Sequence, residues 1–185
     1  MLRFPVHSIE SAPEASRETM RGLKQKFGFV PNLIGELAAA PATLKAYAAL
    51  SRLLEETTFN PVEQQLILIA TSLANDCRYC VAAHTAGLKM AGMAQDQIDA
   101  IREGRVLADG RLEALRKITL AVVDRRGRPN AVEVRSFLES GYRPEQMLEL
   151  LVGVAAKTIS NYTNHLADTP LDRELAAFAW EPATV

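Results

Sequence analysis

Residues 75–84 read Asn-Asp-Cys-Arg-Tyr-Cys-Val-Ala-Ala-His and hold both cysteines and one of the three histidines of the chain. If a helix begins at Cys77, then Cys77, Cys80 and His84 fall within an arc of about 60°, because each helical residue advances by about 100°. Two thiols that can form a disulfide would then share one helix face with an imidazole that can carry a proton. We expect this face to be a redox site.

The composition is that of a globular chain long enough to bury a core. Hydrophobic residues make up 48% and charged residues 23%, with a net charge of -1, which predicts a single domain over residues 1–185. Aromatic residues are 6% and no long basic block occurs, so nucleic acid is not an expected partner. No apolar run reaches the roughly 18 residues of a membrane span, and the sequence start lacks a signal-peptide core. We therefore expect a cytoplasmic protein without membrane contact.

Apolar residues recur at helical spacing along nearly the whole chain, and almost no segment alternates with the period of a strand. We predict an all-α fold of about eight helices between an irregular N-terminal arm (residues 1–13) and a C-terminal tail (residues 168–185). The tail docks either locally or on a partner subunit. The helical segments are expected at residues 14–26, 33–39, 42–56, 61–74, 77–90, 94–103, 111–125, 131–140 and 145–167.

The helix before the cysteines has a strong start signal. Asn60 suits the N-cap, Pro61 suits the first helical position, and Glu63 can complete a capping box from the third. The residues that follow are apolar on most sides, so we expect this helix to be central and buried. Asn75-Asp76 then breaks it and can cap the next helix.

A Cys-x-x-Cys pair can be redox-active, bind a metal or be incidental. As a metal site it is incomplete, because Cys77, Cys80 and His84 supply three ligands where structural zinc needs four. The other histidines, His7 and His165, are isolated in the sequence. A thioredoxin-type fold needs βαβ units, which the pattern lacks. We expect no metal and no other cofactor, and a dithiol on an all-helical scaffold.

The helix start also bears on the acidity of the thiols. The positive end of a helix dipole favours thiolate, which points to Cys77 as the thiol with the lower pKa. A peroxide would oxidise one cysteine to a sulfenic acid, which the other resolves to a disulfide. His84, one turn beyond Cys80, could accept or return the proton.

The segment from Gln65 to His84 closely resembles the core motif of the AhpD-like alkylhydroperoxidases, in the carboxymuconolactone decarboxylase superfamily. That motif is an acidic residue, an apolar helix, Asn-x-Cys-x-x-Cys and a histidine four residues after the second cysteine. The branch it resembles is that of the peroxidase-related proteins. The flanking segments that share the resemblance are Gly28-Phe29-Val30-Pro31-Asn32, Pro41, Asn161-Tyr162-Thr163-Asn164-His165 and Thr169-Pro170-Leu171-Asp172.

The resemblance implies an all-helical AhpD-like bundle that forms a homo-oligomer, either a trimer or a hexamer. It also implies that the dithiol reduces a hydroperoxide substrate in antioxidant defence, and that an unknown thiol or lipoyl-type reductant restores the dithiol. By the same resemblance, Cys80 attacks, Cys77 resolves and His84 is the family's histidine. These three are the expected catalytic residues.

One position departs from the family pattern. The family's acidic residue lies twelve positions before the first cysteine, where this chain has Gln65, which cannot act as a base. Glu63 is near, but it lies about 200° round the helix, so the capping box is its simpler role. The relay then falls to His84 with ordered water or to another group. The Tyr79 hydroxyl is a candidate, although packing is the simpler role of that side chain.

A polar stripe marks the last long helix. Thr158, Asn161, Tyr162 and His165 recur at i, i+3, i+4 and i+7 on an otherwise apolar helix. Two interpretations stay open, a solvent or subunit-contact face and a pocket wall opposite the dithiol with His165 in a supporting role. Lys157, beside the stripe, is expected in solvent.

Four functions compete on this evidence. The first is the thiol-dependent peroxidase, and the second is a thiol-disulfide oxidoreductase or redox sensor that acts on a protein partner. The third is a lyase of the decarboxylase type, which does not depend on a cysteine pair, so Cys77 and Cys80 count against it. The fourth is a non-enzymatic helical oligomer with a vestigial site, for which Gln65 is the argument.

Overall fold

The structure is a computed structural model that describes residues 4–182, so the first three residues of the arm and the last three of the tail lie outside the described residues. Between residues 4 and 182 the chain is helical, with no β-strand, as predicted. The helices are α1 (Glu14–Phe27), α2 (Asn32–Leu37), α3 (Pro41–Glu55), α4 (Pro61–Ala74), α5 (Arg78–Met90), α6 (Gln95–Arg102), α7 (Gly110–Asp124), α8 (Ala131–Glu139), α9 (Gln146–Ala167) and a 3-10 helix (Arg173–Phe178).

Local signals place most helix boundaries within one or two residues of the prediction. Helix α1 ends at Gly28, whose φ of 83° is in the left-handed region and whose N–H donates to the carbonyl of Lys24. The capping box at the start of α4 is confirmed, because Asn60 and Glu63 each accept a hydrogen bond from the other's backbone N–H.

Helix α4 lies at the centre of the bundle and packs against α5, α7 and α9. Its central position follows from its composition, since an apolar surface on most sides requires neighbours on most sides. Leu66, Ile67 and Ile69 are fully buried. A Cβ on Gly153 of α9 would lie 2.7 Å from the Ile67 side chain, so the missing side chain allows α9 to approach α4 closely.

Two hydrophobic clusters share the interior. The first joins α4, α6, α7 and α8 through residues such as Ile67, Ile98, Leu115 and Phe137. The second joins α1, α2, α3 and α5, and it includes both cysteines with Met20, Ile34 and Leu44. The thiols are therefore core residues, and they are shielded from water by the same packing that holds these helices together.

The C-terminal tail docks on its own chain, which is the local alternative of the prediction. Leu175 is buried, and the 3-10 helix packs against α5. The Arg102 guanidinium donates to the carbonyls of Phe178 and Ala179, and the Trp180 indole donates back to the Arg102 carbonyl. Among the helices of residues 4–182, none combines the length and the hydropathy needed to cross a membrane.

The cap at the start of α4 gives a stability prediction. Beyond the cap, the buried Glu63 carboxylate accepts a hydrogen bond from the Tyr142 hydroxyl at 2.8 Å. Glu63→Ala is expected to lower the free energy of unfolding by about 2–4 kcal/mol, because it removes a cap and leaves a buried hydroxyl without its acceptor. The measurement is urea denaturation followed by circular dichroism.

The capping box of α8 supplies the matched control. Glu133 has the same place in that box, with Asn130 as its N-cap, but it is paired with Arg125 at the surface. Glu133→Ala should therefore cost clearly less stability than Glu63→Ala. Equal losses would show that burial of Glu63 adds nothing to its cap.

Candidate active site

The turn between α4 and α5 sets the position of the first cysteine. Asp76 has a φ of 50°, its N–H donates to the Leu73 carbonyl, and the Cys77 N–H donates to the Ser72 carbonyl. These two bonds form a Schellman motif, and aspartate is one of the few residues other than glycine that adopts its left-handed conformation readily. The residue that ends this motif, Cys77, is also the N-cap of α5.

Helix α5 begins without a side-chain capping bond, so the predicted cap from Asn75-Asp76 is wrong. The Asn75 amide instead donates to Asn161 Oδ1 on α9 at 3.0 Å, and the Asn161 amide donates to Ser72 Oγ at 3.4 Å. Asn161 is fully buried. This network fixes the turn, and with it Cys77, to α9.

Both thiols face α9 and are nearly inaccessible to water. Cys77 and Cys80 are each 1% exposed and are not bonded to each other. The Asn164 Nδ2 group donates to Cys80 Sγ at 3.1 Å and to Cys77 Sγ at 3.5 Å. Ser160 Oγ lies 3.9 Å from Cys80 Sγ. Helix α9 therefore supplies polar groups to both sulfur atoms.

His84 lies between two side chains from different helices. Its Nδ1 atom is 3.0 Å from Gln65 Oε1 on α4, and its Nε2 atom is 2.8 Å from Lys157 Nζ on α9. A Cβ on Gly87 would overlap the Gln65 amide, so this glycine leaves the space through which Gln65 reaches the imidazole. Lys157 is only 2% exposed.

These contacts define the tautomer of His84. A lysine ammonium group has hydrogens only to donate, so Nε2 must be the acceptor nitrogen of the imidazole. The proton then lies on Nδ1, which donates to Gln65 Oε1. Burial first and the charge of Lys157 second hold the pKa of His84 well below its usual range. The imidazole is therefore neutral in the reduced site.

The two thiols differ in acidity. Burial raises the pKa of Cys80, but the hydrogen bond from Cys77, the charge of Lys157 and the Ser160 hydroxyl outweigh it and hold that pKa well below the usual range. Donation of that hydrogen bond, burial and the negative charge on Cys80 all raise the pKa of Cys77. The helix-dipole expectation for Cys77 is thus wrong, because specific partners act more strongly on these sulfurs than the helix end does.

Lys157 keeps its proton although it is buried. Burial is the largest single influence and lowers the pKa of Lys157, but the negative charge on Cys80, the charges of Tyr47 and Cys77 and a hydrogen bond to Cys80 together outweigh it and raise the pKa overall. An unpaired ammonium in the core would be very costly. The site therefore contains a buried pair of opposite charges, the Cys80 thiolate and the Lys157 ammonium.

A pocket of about 460 Å³ opens beside the first cysteine. Cys77, Asn164 and His165 line it, and the tail contributes Trp180 and Glu181. Within residues 4–182, the second cysteine is not part of its wall. A molecule bound here would lie beside Cys77 and Asn164 and not beside Cys80.

Comparison with known proteins shows which family and which structures the chain resembles. The model of the carboxymuconolactone decarboxylase family matches residues 40–123, a span that includes Gln65, both cysteines and His84. An AhpD-core peroxidase-related protein from Ralstonia eutropha JMP134 has a similar structure, with a TM-score of 0.82 and 26% identity over 94% of this chain and 93% of that one. The chain therefore resembles the AhpD-like proteins of the carboxymuconolactone decarboxylase superfamily and shares their all-helical fold.

Two further proteins of known structure share this AhpD-like fold at 16% identity. The debrominase Bmp8, determined alone and as a variant in complex with 2,3,4-tribromopyrrole, has a TM-score of 0.79 in that complex and covers 96% of this chain and 95% of its own. A peroxidase-related protein from Silicibacter sp. TM1040 has a TM-score of 0.77 and covers 94% and 92%. Among functionally curated proteins, none matches the sequence.

The side chains considered for the missing acid of this AhpD-like site have different surroundings. Gln65 contacts His84. Glu63 accepts hydrogen bonds from Tyr142 and Arg111 and has no contact with the thiols or His84 among the described residues. The Tyr79 hydroxyl donates to Asp172, which joins α5 to the segment before the 3-10 helix.

The polar face of α9 is rotated by one residue from the prediction. Thr158, Tyr162 and His165 are exposed, with His165 at the rim of the pocket. The buried polar residues are Lys157, Ser160, Asn161 and Asn164, at i, i+3, i+4 and i+7. The prediction that Lys157 lies in solvent is therefore wrong. Gly153, four residues before Lys157, is the signal that could have identified the buried face, since small residues mark close helix contacts.

The charge pair predicts the pH dependence of Cys80. Lys157→Met should raise the Cys80 pKa to the ordinary thiol range of about 8.5 or above, which leaves roughly 3% thiolate at neutral pH. Alkylation by iodoacetamide at neutral pH should then be at least about tenfold slower than in the parent. The parent rate should hold as pH falls through neutrality, whereas the variant rate should rise with pH up to its higher pKa.

The assay uses chains that carry Cys77→Ser, so that only Cys80 reacts. Lys45→Met, at an exposed lysine of α3, is the control and should keep the parent profile. Identical profiles for Lys157→Met and the parent would show that the ammonium does not stabilise the thiolate.

Proposed function

We propose that this protein is a thiol-dependent peroxidase that reduces hydroperoxides through Cys80 and Cys77. The observation that carries the proposal is the asymmetry of the two thiols: Cys80 is a thiolate paired with a buried ammonium, and Cys77 is a thiol that donates to it. A thiolate nucleophile beside a protonated thiol is the arrangement that a two-step oxidation requires. His84 completes the site as a neutral imidazole.

In the oxidative step, the Cys80 sulfur attacks the terminal oxygen of the hydroperoxide. An S–O bond forms, the O–O bond breaks, and the alcohol oxygen leaves as an alkoxide. The Lys157 ammonium supplies the proton that converts this alkoxide to the alcohol, while the neutral His84 imidazole, which accepts a hydrogen bond from Lys157, holds the ammonium in place. Cys80 is then a sulfenic acid, and Lys157 is a neutral amine.

Resolution follows from the position of Cys77. Its sulfur attacks the Cys80 sulfur and expels hydroxide, which leaves as water with the Cys77 proton. The product is a Cys77–Cys80 disulfide, one alcohol and one water for each hydroperoxide. The sum of charges in the site does not change, because the thiolate and the ammonium are consumed together.

Re-reduction uses the pocket. A dithiol donor that enters it meets Cys77, so its thiolate attacks the Cys77 sulfur and expels the Cys80 sulfur. The low pKa of Cys80 makes it the better leaving group. The neutral Lys157 amine takes up the proton that the donor releases, which restores the charge pair. A second attack within the donor frees Cys77 and yields an oxidised dithiol.

The same pocket favours a second candidate, a thiol-disulfide oxidoreductase. Its volume of about 460 Å³ admits a side chain or a dithiol much larger than a peroxide, and it leads to Cys77. In that function a disulfide of a partner protein, and not a peroxide, oxidises the Cys77 and Cys80 thiols. The fold alone does not decide between these functions, because one protein with the same fold is a debrominase.

The homo-oligomer stays a proposal. Leu148, Leu151, Tyr162 and Leu166 are exposed along the outer side of α9, and burial of such a stripe between copies would favour assembly. The trimer or hexamer of the family resemblance is the form that we propose.

Stopped-flow oxidation by cumene hydroperoxide and by hydrogen peroxide tests the peroxidase. Cys80→Ser should abolish the fast reaction, because it removes the sulfur proposed to attack the peroxide. Cys77→Ser should keep a fast first step but stop at a sulfenic acid, which dimedone traps and mass spectrometry detects. The parent should instead form the disulfide with no dimedone adduct.

The outcomes separate the candidates. A parent rate no higher than that of free cysteine would contradict the peroxidase. If the pair then exchanges rapidly with a protein disulfide and has a defined reduction potential, the oxidoreductase replaces it. Fast turnover by Cys80→Ser with a dithiol donor would show that Cys80 is not the attacking residue.

A further inference from the structure

The carbonyl oxygen of the Asn164 side chain has no partner. Asn164 is 6% exposed, and its Oδ1 atom accepts no hydrogen bond from any residue that the structure describes. Reversal of the amide would not help, because the Cys80 thiolate only accepts hydrogen bonds and so requires the NH₂ group. The orphaned atom is therefore a consequence of the way Asn164 binds the sulfurs.

Buried acceptors without partners are rare in folded proteins, and each calls for an explanation such as a catalytic role or an ordered water. Asn164 is held firmly, since its backbone carbonyl accepts from the N–H groups of Asp168 and Thr169 at the end of α9. The residue lines the pocket beside Cys77, while its Oδ1 atom is buried. The free Oδ1 atom is thus a buried acceptor on a side chain that borders both the pocket and the sulfurs.

We propose that Asn164 is a substrate-binding residue whose Oδ1 atom accepts the hydrogen bond of a protonated hydroperoxide, R–O–O–H. The proposal rests on the proposed peroxidase function and names the group that recognises the substrate. The same side chain holds Cys80 Sγ at 3.1 Å through Nδ2. One amide therefore binds the nucleophile with one end and the electrophile with the other.

The chemistry of the attack fits this placement. The hydrogen of a hydroperoxide is on the terminal oxygen, which is the atom that the thiolate attacks. When the S–O bond forms and the O–O bond breaks, that hydrogen stays on the transferred oxygen and becomes the O–H of the Cys80 sulfenic acid. Oδ1 can keep the same hydrogen bond from substrate to intermediate, so no new partner is needed during the step.

Recognition of this kind predicts selectivity for electrophiles that carry a donor on the attacked atom. Methyl methanethiosulfonate also reacts with thiolates but has no hydrogen-bond donor. Both reagents consume the same Cys80 thiolate, so the ratio of their rate constants cancels any change in thiolate fraction. The ratio therefore reports the Oδ1 contact. The effect of Nδ2 on the thiolate fraction is the same for both reagents and does not contribute to the ratio.

The test compares variants of the full-length chain that carry Cys77→Ser. Asn164→Ala should lower the ratio of the cumene hydroperoxide rate to the methyl methanethiosulfonate rate by about tenfold, the effect of one hydrogen bond. Asn164→Leu, which fills the same volume without an acceptor, should do the same and serves if the alanine variant does not fold. Asn164→Asp keeps an acceptor and should restore the ratio, although its charge slows both reactions.

An unchanged ratio in both acceptor-free variants would overturn the proposal, and would mean that water or nothing occupies Oδ1 during the reaction. A lowered ratio in Asn164→Asp as well would also overturn it. The Cys77→Ser chain that keeps Asn164 distinguishes failure of this proposal from failure of the peroxidase proposal. If its peroxide rate exceeds that of free cysteine while the ratio is insensitive to residue 164, only the proposed role of Asn164 is contradicted. If its peroxide rate is no higher, both proposals are contradicted.

Discussion

The charge pair of Cys80 and Lys157 is the constraint on which the rest of the site depends. A buried ammonium is tolerated only beside an anion or strong acceptors, and Lys157 has the Cys80 thiolate and the His84 Nε2 atom. With Lys157 charged, His84 must be neutral and must carry its proton on Nδ1. A neutral acceptor is then enough to bind the Nδ1 proton, and the Gln65 side-chain oxygen is such an acceptor. The acid that family resemblance led us to expect is absent where a cation already neutralises the thiolate.

Oxidation of the two thiols changes the charges that are buried in the core. A disulfide removes the anion that keeps Lys157 protonated, while the burial that lowers its pKa remains. In the proposed mechanism, loss of the Lys157 proton to the departing alkoxide removes both charges at once, so neither redox state leaves an unpaired charge in the interior. Proton transfer and electron transfer are thereby linked through one lysine. In a site with a carboxylate at the position of Gln65, an additional charge would have to be accommodated in both states.

Features fixed by local sequence could be predicted, and features fixed by helix rotation could not. Caps such as Asn60 and Glu63, and the glycine after α1, act within a few residues of themselves, so helix limits and the central place of α4 followed from the pattern. The orientation of α9 depends on α4 and α5. An error of one residue in the predicted buried face rotates that face by about 100°. The prediction therefore placed Lys157 in solvent, where the structure has Thr158. The buried place of Asn164 beside the thiols depends on the same rotation, so local sequence does not reveal it.

Access divides the two cysteines as clearly as acidity does. The pocket reaches Cys77, whereas Cys80 is not part of its wall among the described residues. In the proposed mechanism a bulky reductant therefore contacts the resolving sulfur, and the sulfur that it displaces is the one whose pKa makes it leave easily. A hydroperoxide would present its small terminal oxygen to the buried Cys80 sulfur. Burial of the nucleophile thus limits its reactions to slender electrophiles, which explains why a strongly activated thiolate can be kept in the core.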